Sequence, residues 1–230
     1  GPAHRLVAAR QRGDHVARPL GRERVTRPRP GSATAYRRGM ARPVAATDST
    51  LAVDGWTTLD HVLTPAEVAS TLRRCEELLA LPPAERCAGD KPAAGTRRLF
   101  GLDTSSGDVA GLLESPAVVD AVRRIVGPDP RLDQASFRCP RPGSGAQRLH
   151  ADDAPKLDDA PSRVATASVT LVEFTDTNGA TRVVPGSHRR PDLQRRSGSL
   201  DSHPDEMTLT GPAGTAFVFD GPLLHSGTIN

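Results

Sequence analysis

Apolar residues return at helical spacing from Val68 onward, and Val68, Leu72, Cys75 and Leu79 share one helix face. The residues just ahead of them mark the start. Thr64 and Glu67 form a capping box, Pro65 takes the first helical position, and Leu63 can staple onto Val68. Pro82-Pro83 closes the helix. A second helix is predicted from Ser115-Pro116, with Val118, Val119, Val122, Ile125 and Val126 inward and Gly127 at its end. Ahead of both, residues 51–59 read as a strand. From Pro128 the period shortens. Runs rich in β-formers follow at 135–139, 147–151, 165–174, 181–184, 207–209 and 215–219, separated by Gly, Pro and Asn. Asn178-Gly179 is a tight-turn signal between two of them.

Helices first and many short strands afterwards predict a mainly β fold with flanking helices, a sandwich or barrel, and not an alternating α/β fold. Two polar stretches, 152–163 and 189–206, interrupt the strands and suit loops at the mouth of a site.

Composition divides the chain. At 230 residues one domain is expected, yet only 3% of residues are aromatic, so part of the chain contributes little to a core. In residues 1–42, eleven arginines face only Asp14 and Glu23, a charge of +9, which leaves −6 for residues 43–230 of the +3 total. The two segments expected are thus a basic arm, 1–42, without stable structure, and one folded domain, 43–230. Only Tyr36 interleaves with the arginines, so a solvated arm is preferred to a nucleic-acid-binding one. Met40 makes residues 1–39 readable as an upstream extension, and Gly1-Pro2 resembles a cleavage scar. Cys75, Cys87 and Cys139 fit neither a disulfide framework nor a zinc site, and point to a reducing cytoplasm. The sequence contains no apolar run long enough to span a membrane.

The chemistry starts at His150-Ala-Asp152. In a β-like run, alternate side chains share a face, so His150 and Asp152 can reach one metal ion while Asp153 points away. Two histidines and one carboxylate on one face of an octahedral ion leave three positions open. A third ligand must come from far along the chain. With 27 acidic residues and seven histidines, chance alone supplies about one His-x-acid triplet. A second triplet, His203-Pro-Asp205, indeed occurs, but its central proline in a polar stretch makes it the poorer pair.

The order of motifs then decides. Residues 170–188, running through Asn178-Gly179 to Pro185-Gly-Ser-His188, and residues 213–230, containing His225, resemble segments of the phytanoyl-CoA dioxygenase-like family of iron(II), 2-oxoglutarate-dependent oxygenases. The resemblance extends from Leu51 to Asn230. It implies a double-stranded β-helix, a jelly-roll or cupin-like barrel, with His150, Asp152 and His225 as iron ligands and Gln147 at a position that helps hold 2-oxoglutarate. It also implies Fe(II), 2-oxoglutarate and O2 as cofactor and cosubstrates, succinate and CO2 as products, and hydroxylation of a C–H bond in a small metabolite. Family halogenases replace the carboxylate ligand with a small residue, whereas Asp152 fills that place here.

In the resembled family an arginine about ten residues past the distal histidine pairs with the far carboxylate of 2-oxoglutarate. The sequence continues five residues past His225. The expectation is therefore a barrel lacking its final strand, with weak cosubstrate affinity unless an internal arginine such as Arg182 or a second chain substitutes. A catalytically silent barrel acting as a binding module, or a cupin-like barrel with another metal, is the alternative.

Overall fold

The computed structural model describes residues 5–10, 48–82, 95–102, 115–158, 160–194 and 198–230. In chain order these form β1 (Arg5–Arg10), α1 (Asp48–Asp54), β2 (Trp56–Leu59), α2 (Pro65–Ala80), β3 (Thr96–Phe100), α3 (Pro116–Val126), β4 (Ala135–Pro140), β5 (Val164–Thr170), β6 (Thr181–Val183), α4 (Pro191–Gln194), β7 (Met207–Thr208), β8 (Ala216–Asp220) and β9 (His225–Gly227). A six-stranded sheet in the order β2-β8-β5-β1-β4-β3 faces a three-stranded one in the order β7-β6-β9. Each ladder is antiparallel. The result is a mainly β, two-sheet, cupin-like barrel with helices on one side.

Strand alternation builds two cores. On β4, β5 and β8 one set of side chains (Phe137, Val169, Val218) packs outward with Cys75 of α2 and with Val122 and Ile125 of α3. The alternate set on β8, Phe217 and Phe219, turns inward with Trp56, Phe174, Val183 and Leu223, between the sheets. Ser136 and Arg138 of β4, and Thr166, Ser168 and Thr170 of β5, share that inward parity and are therefore polar groups on the barrel's inner face.

The helix signals hold. Thr64 caps α2 with both arms of the capping box in place, and Gly127 ends α3 at φ +95°. Residues 51–59 differ from the single strand expected. Asp48–Asp54 is helical, and Gly55, at φ +81°, switches the chain into β2. No side chain fits there, because a Cβ on Gly55 would lie 2.5 Å from Nδ1 of His188. Residues 147–151 make only a bridge, not a strand: His150 pairs with His225, Gln147 gives β9 one further main-chain bond at Gly227, and Leu149 between them turns its N–H to the Ser199 carbonyl instead. β3 was not anticipated.

The arm requires the largest correction. Arg5–Arg10 lies between β4 and β5, paired with both, while residues 11–47 lie outside the described residues. Local composition assigned these residues to an unstructured arm, but Leu-Val-Ala-Ala at 6–9 is β-competent and the gap between β4 and β5 supplies main-chain partners on both sides.

His188 follows Pro185-Gly186-Ser187 and is 2% exposed. Burial, reinforced by Arg189 and Lys156, lowers its pKa from 6.5 to about 4. The unfolded chain therefore takes up the proton first. Stability contributed by neutral His188 is complete above pH 6.5 and is lost as pH falls toward 4. The loss amounts to roughly 3 kcal/mol at most. Melting curves between about pH 7 and about pH 4.5 should show a steep decline in the wild type and a shallower one in His188→Asn. Equal slopes would assign the acid lability elsewhere.

Candidate metal centre

His150 and His225 are brought together by their own main chains. Each donates its N–H to the other's carbonyl, at 3.0 and 2.8 Å, and the ring centroids stand 4.4 Å apart. Each ring is fixed in the same way. Nδ1 of His150 lies 2.8 Å from the Arg148 carbonyl and Nδ1 of His225 lies 2.9 Å from that of Leu223. A proton on each Nδ1 satisfies those carbonyls and leaves the lone pair on Nε2, as a metal requires.

Asp152 arrives on the turn that follows. Its N–H and that of Asp153 both donate to the Gly221 carbonyl, at 2.8 and 3.1 Å. Its Oδ2 accepts from Thr166 Oγ1 at 2.7 Å and stands 3.7 Å from Nε2 of His225. Asp153 points away, as expected, and pairs with Arg163. The donor atoms of His150, Asp152 and His225 all lie within 4.8 Å of one another. An ion centred among them is at most about 2.8 Å from each, so small side-chain rotations bring it to bonding distance of about 2.1 Å. This is the one such cluster of His, Cys, Asp and Glu among the described residues.

The surroundings are dry on the protein side. Phe219 packs on His225 at 4.6 Å, and Leu149, Val184 and Leu224 bury the bridge from behind. His203 and Asp205 stand apart from the cluster. The Asp205 N–H donates to His203 Nδ1 at 3.1 Å, and the His203 N–H donates to Glu206, so the triplet forms a local turn.

Gln147 is clipped to β9: its N–H donates to the Gly227 carbonyl and its Oε1 accepts from the Gly227 N–H at 3.1 Å. Arg138 comes to the same place. A Cβ on Gly227 would lie 2.8 Å from Gln147 Oε1 and 2.9 Å from Arg138 Nη1, so a larger residue there would push those two side-chain ends aside. Arg182 does not join the cluster. Its side chain is 4% exposed, and its guanidinium bonds to Ser226 Oγ at 2.7 Å, Glu206 at 2.7 Å and the Leu200 carbonyl at 3.3 Å. Arg182, expected as a substitute for the cosubstrate-gripping arginine, is engaged here in tying β6 to β9 and to the 200–206 segment. Thr166, Ser168 and Arg138 were missed. Their signal was parity along β4 and β5, opposite to the apolar face.

Two histidines and one carboxylate set in the mouth of a two-sheet barrel define a non-haem iron(II), 2-oxoglutarate-dependent dioxygenase. The sequence pattern of phytanoyl-CoA dioxygenase (PhyH) matches residues 51–230, and the chain belongs to that family. Ectoine dioxygenase of Streptomyces anulatus is 31% identical over 84% of this chain and 75% of its own length. L-proline trans-4-hydroxylase of Streptomyces griseoviridis is 26% identical over 77% of each. The crystal structure of EctD from S. alaskensis with 2-oxoglutarate and 5-hydroxyectoine superposes with a TM-score of 0.58 at 26% identity, covering 79% of this chain and 69% of that one. HygX from Streptomyces hygroscopicus, with nickel and 2-oxoglutarate, shares the fold at a TM-score of 0.62 and 19% identity, covering 81% and 83%.

Proposed function

We propose that this protein hydroxylates a C–H bond of a small metabolite, with Fe(II) held by His150, Asp152 and His225, 2-oxoglutarate and O2 as cosubstrates, and succinate and CO2 as products. The convergence of these three side chains carries the reading. When bound, the iron supplies oxygen activation coupled to decarboxylation of the 2-oxo acid. The chain supplies the rest. The carbonyls of Arg148 and Leu223 hold the imidazole tautomers, Thr166 orients the carboxylate, and Phe219 keeps water from one side. Asp152 occupies the position that chloride would need, so hydroxylation is preferred to halogenation. Gln147 and Arg138 border the interior and are assigned to cosubstrate binding.

Relatives named for ectoine and L-proline support a small-molecule substrate. No helix among the described residues is long and apolar enough to cross a membrane. The buried thiols of Cys75 and Cys139 favour a reducing cytoplasm. A silent barrel is not favoured, because the side chains of His150, Asp152 and His225 converge closely enough to hold an ion.

The test is anaerobic titration with Fe(II) and 2-oxoglutarate, followed by admission of oxygen with ectoine, L-proline and other small amino-acid-like compounds. A visible charge-transfer band and succinate formation are expected. Absence of both at millimolar 2-oxoglutarate would leave the binding-module reading in its place.

A further inference from the structure

The metal centre stands on the inner side of β8, where Phe219 meets His225. Asp220 follows Phe219 and shares the parity of Val218, so it projects from the opposite, helix-covered face. There it lines a separate cavity of about 250 Å³, bordered by α1, α3, the 156–161 segment and the turn after β6. Three cations line this cavity from three parts of the chain: Arg124 of α3, Lys156, and Arg189. Lys156 and Arg189 both act on the buried His188, which lines it as well. Against the three positive charges stands one carboxylate, Asp220, so the lining carries a net +2.

Asp220 is 5% exposed and incompletely bonded. Lys156 Nζ lies 3.8 Å from its Oδ2, beyond hydrogen-bond reach. Ser162 stands beside it, short of hydrogen-bond geometry. Asp220 Oδ1, Ser162 Oγ and His188 Nδ1 are three of the six buried side-chain atoms with no hydrogen-bond partner among the described residues, and they gather at this one place. Buried polar atoms left in this state cost stability unless a ligand or water completes them. Burial also pushes the Asp220 carboxyl up, so its ionised form gains from a donor.

We propose that this outer cavity binds hydrogen phosphate, with Arg124, Lys156 and Arg189 holding its charged oxygens and its one hydroxyl donating to Asp220 Oδ1. The match is of charge and of proton. The doubly negative ion meets a lining of opposite and equal charge, and its oxygens gain charge-assisted hydrogen bonds. Sulfate has similar size and the same charge but no proton, so it sets a lone pair against the carboxylate and is rejected. A phosphate monoester has lost its last proton at about pH 8 and is turned away for the same reason. The cations supply affinity and Asp220 supplies the choice.

The experiment is calorimetric titration of the full chain at about pH 8 with inorganic phosphate, sulfate and glycerol 3-phosphate, with melting curves alongside. The wild type should bind phosphate about tenfold or more tighter than the other two. Asp220→Asn offers an N–H in place of a lone pair, so sulfate should bind it at least as well as phosphate does. Lys156→Gln and Arg189→Gln should weaken every anion, and Arg74→Gln should match the wild type. His225→Gln should keep phosphate binding, which separates this cavity from the metal centre. The proposal is overturned by a wild type that binds no phosphate at about 10 mM or takes sulfate equally well. It is overturned equally by an Arg189→Gln protein that melts like the wild type and binds phosphate undiminished, or by a His225→Gln protein that melts like it and has lost phosphate.

Discussion

A chain that begins at Met40 is expected to melt about 10 °C or more below the 230-residue chain. Composition alone pointed the other way, to an arm without stable structure that the fold could lose at little cost. Register decides the matter. β1 is paired through four positions with β4 and five with β5, so its removal breaks two ladders in the middle of a sheet. At a net 0.5–1.5 kcal/mol for each bond, the loss is roughly 4 kcal/mol or more, a large part of the 5–15 kcal/mol typical of a domain. It also leaves two facing edges open to pairing with other chains. Circular dichroism melts of both chains measure the effect. A synthetic peptide of residues 1–12, added to the shorter chain, should recover part of it. Coincident melts without peptide would show that β1 is no part of the fold.

The second large effect is on the metal. His225→Gln should weaken divalent-ion binding by more than about a hundredfold, the upper end of what an outer-shell partner contributes. Its ring is fixed by the Leu223 carbonyl and lies 3.7 Å from Asp152, so no neighbour can swing into its place. His150→Ala and Asp152→Ala should act alike. His203→Ala and Asp205→Ala should leave affinity unchanged, because their contacts are to one another and to Glu206. Equilibrium dialysis of the five variants decides it, and loss of metal in His203→Ala would remove the assignment.

These outcomes separate what the sequence could carry from what it could not. The capping box of Thr64 and Glu67 is local chemistry spelled out within four residues, and it formed as read. His150 and Asp152 were placed on a common face by strand parity, and they do converge, but the cause is different. No strand forms there; one bridge to His225 and the Gly221 carbonyl aim the two side chains. Arg182 was read as available because its partners are distant in sequence: Glu206 lies 24 residues away and Ser226 lies 44. Arg5–Arg10 was hidden differently. A composition averaged over 42 residues obscured a run of six whose pairing partners are 125 or more residues further on. Gly227 carried no local signal, since the meeting of Gln147 and Arg138 beside it comes from residues 80 and 89 positions earlier.

The mutual main-chain pairing of His150 and His225 has a mechanical consequence. The two imidazoles stand on main chains fixed to one another, so their response to whatever enters the barrel is confined to small side-chain rotations. The third donor is of another kind. Asp152 is exposed, sits on a turn, and is steered by the carbonyl of Gly221 and the hydroxyl of Thr166. The donor set is therefore a stiff pair and a compliant arm. Adjustment to ions of different radius, or to a ligand crowding the open positions, falls on the carboxylate, and the choice of ion is tuned from β5 without touching either imidazole.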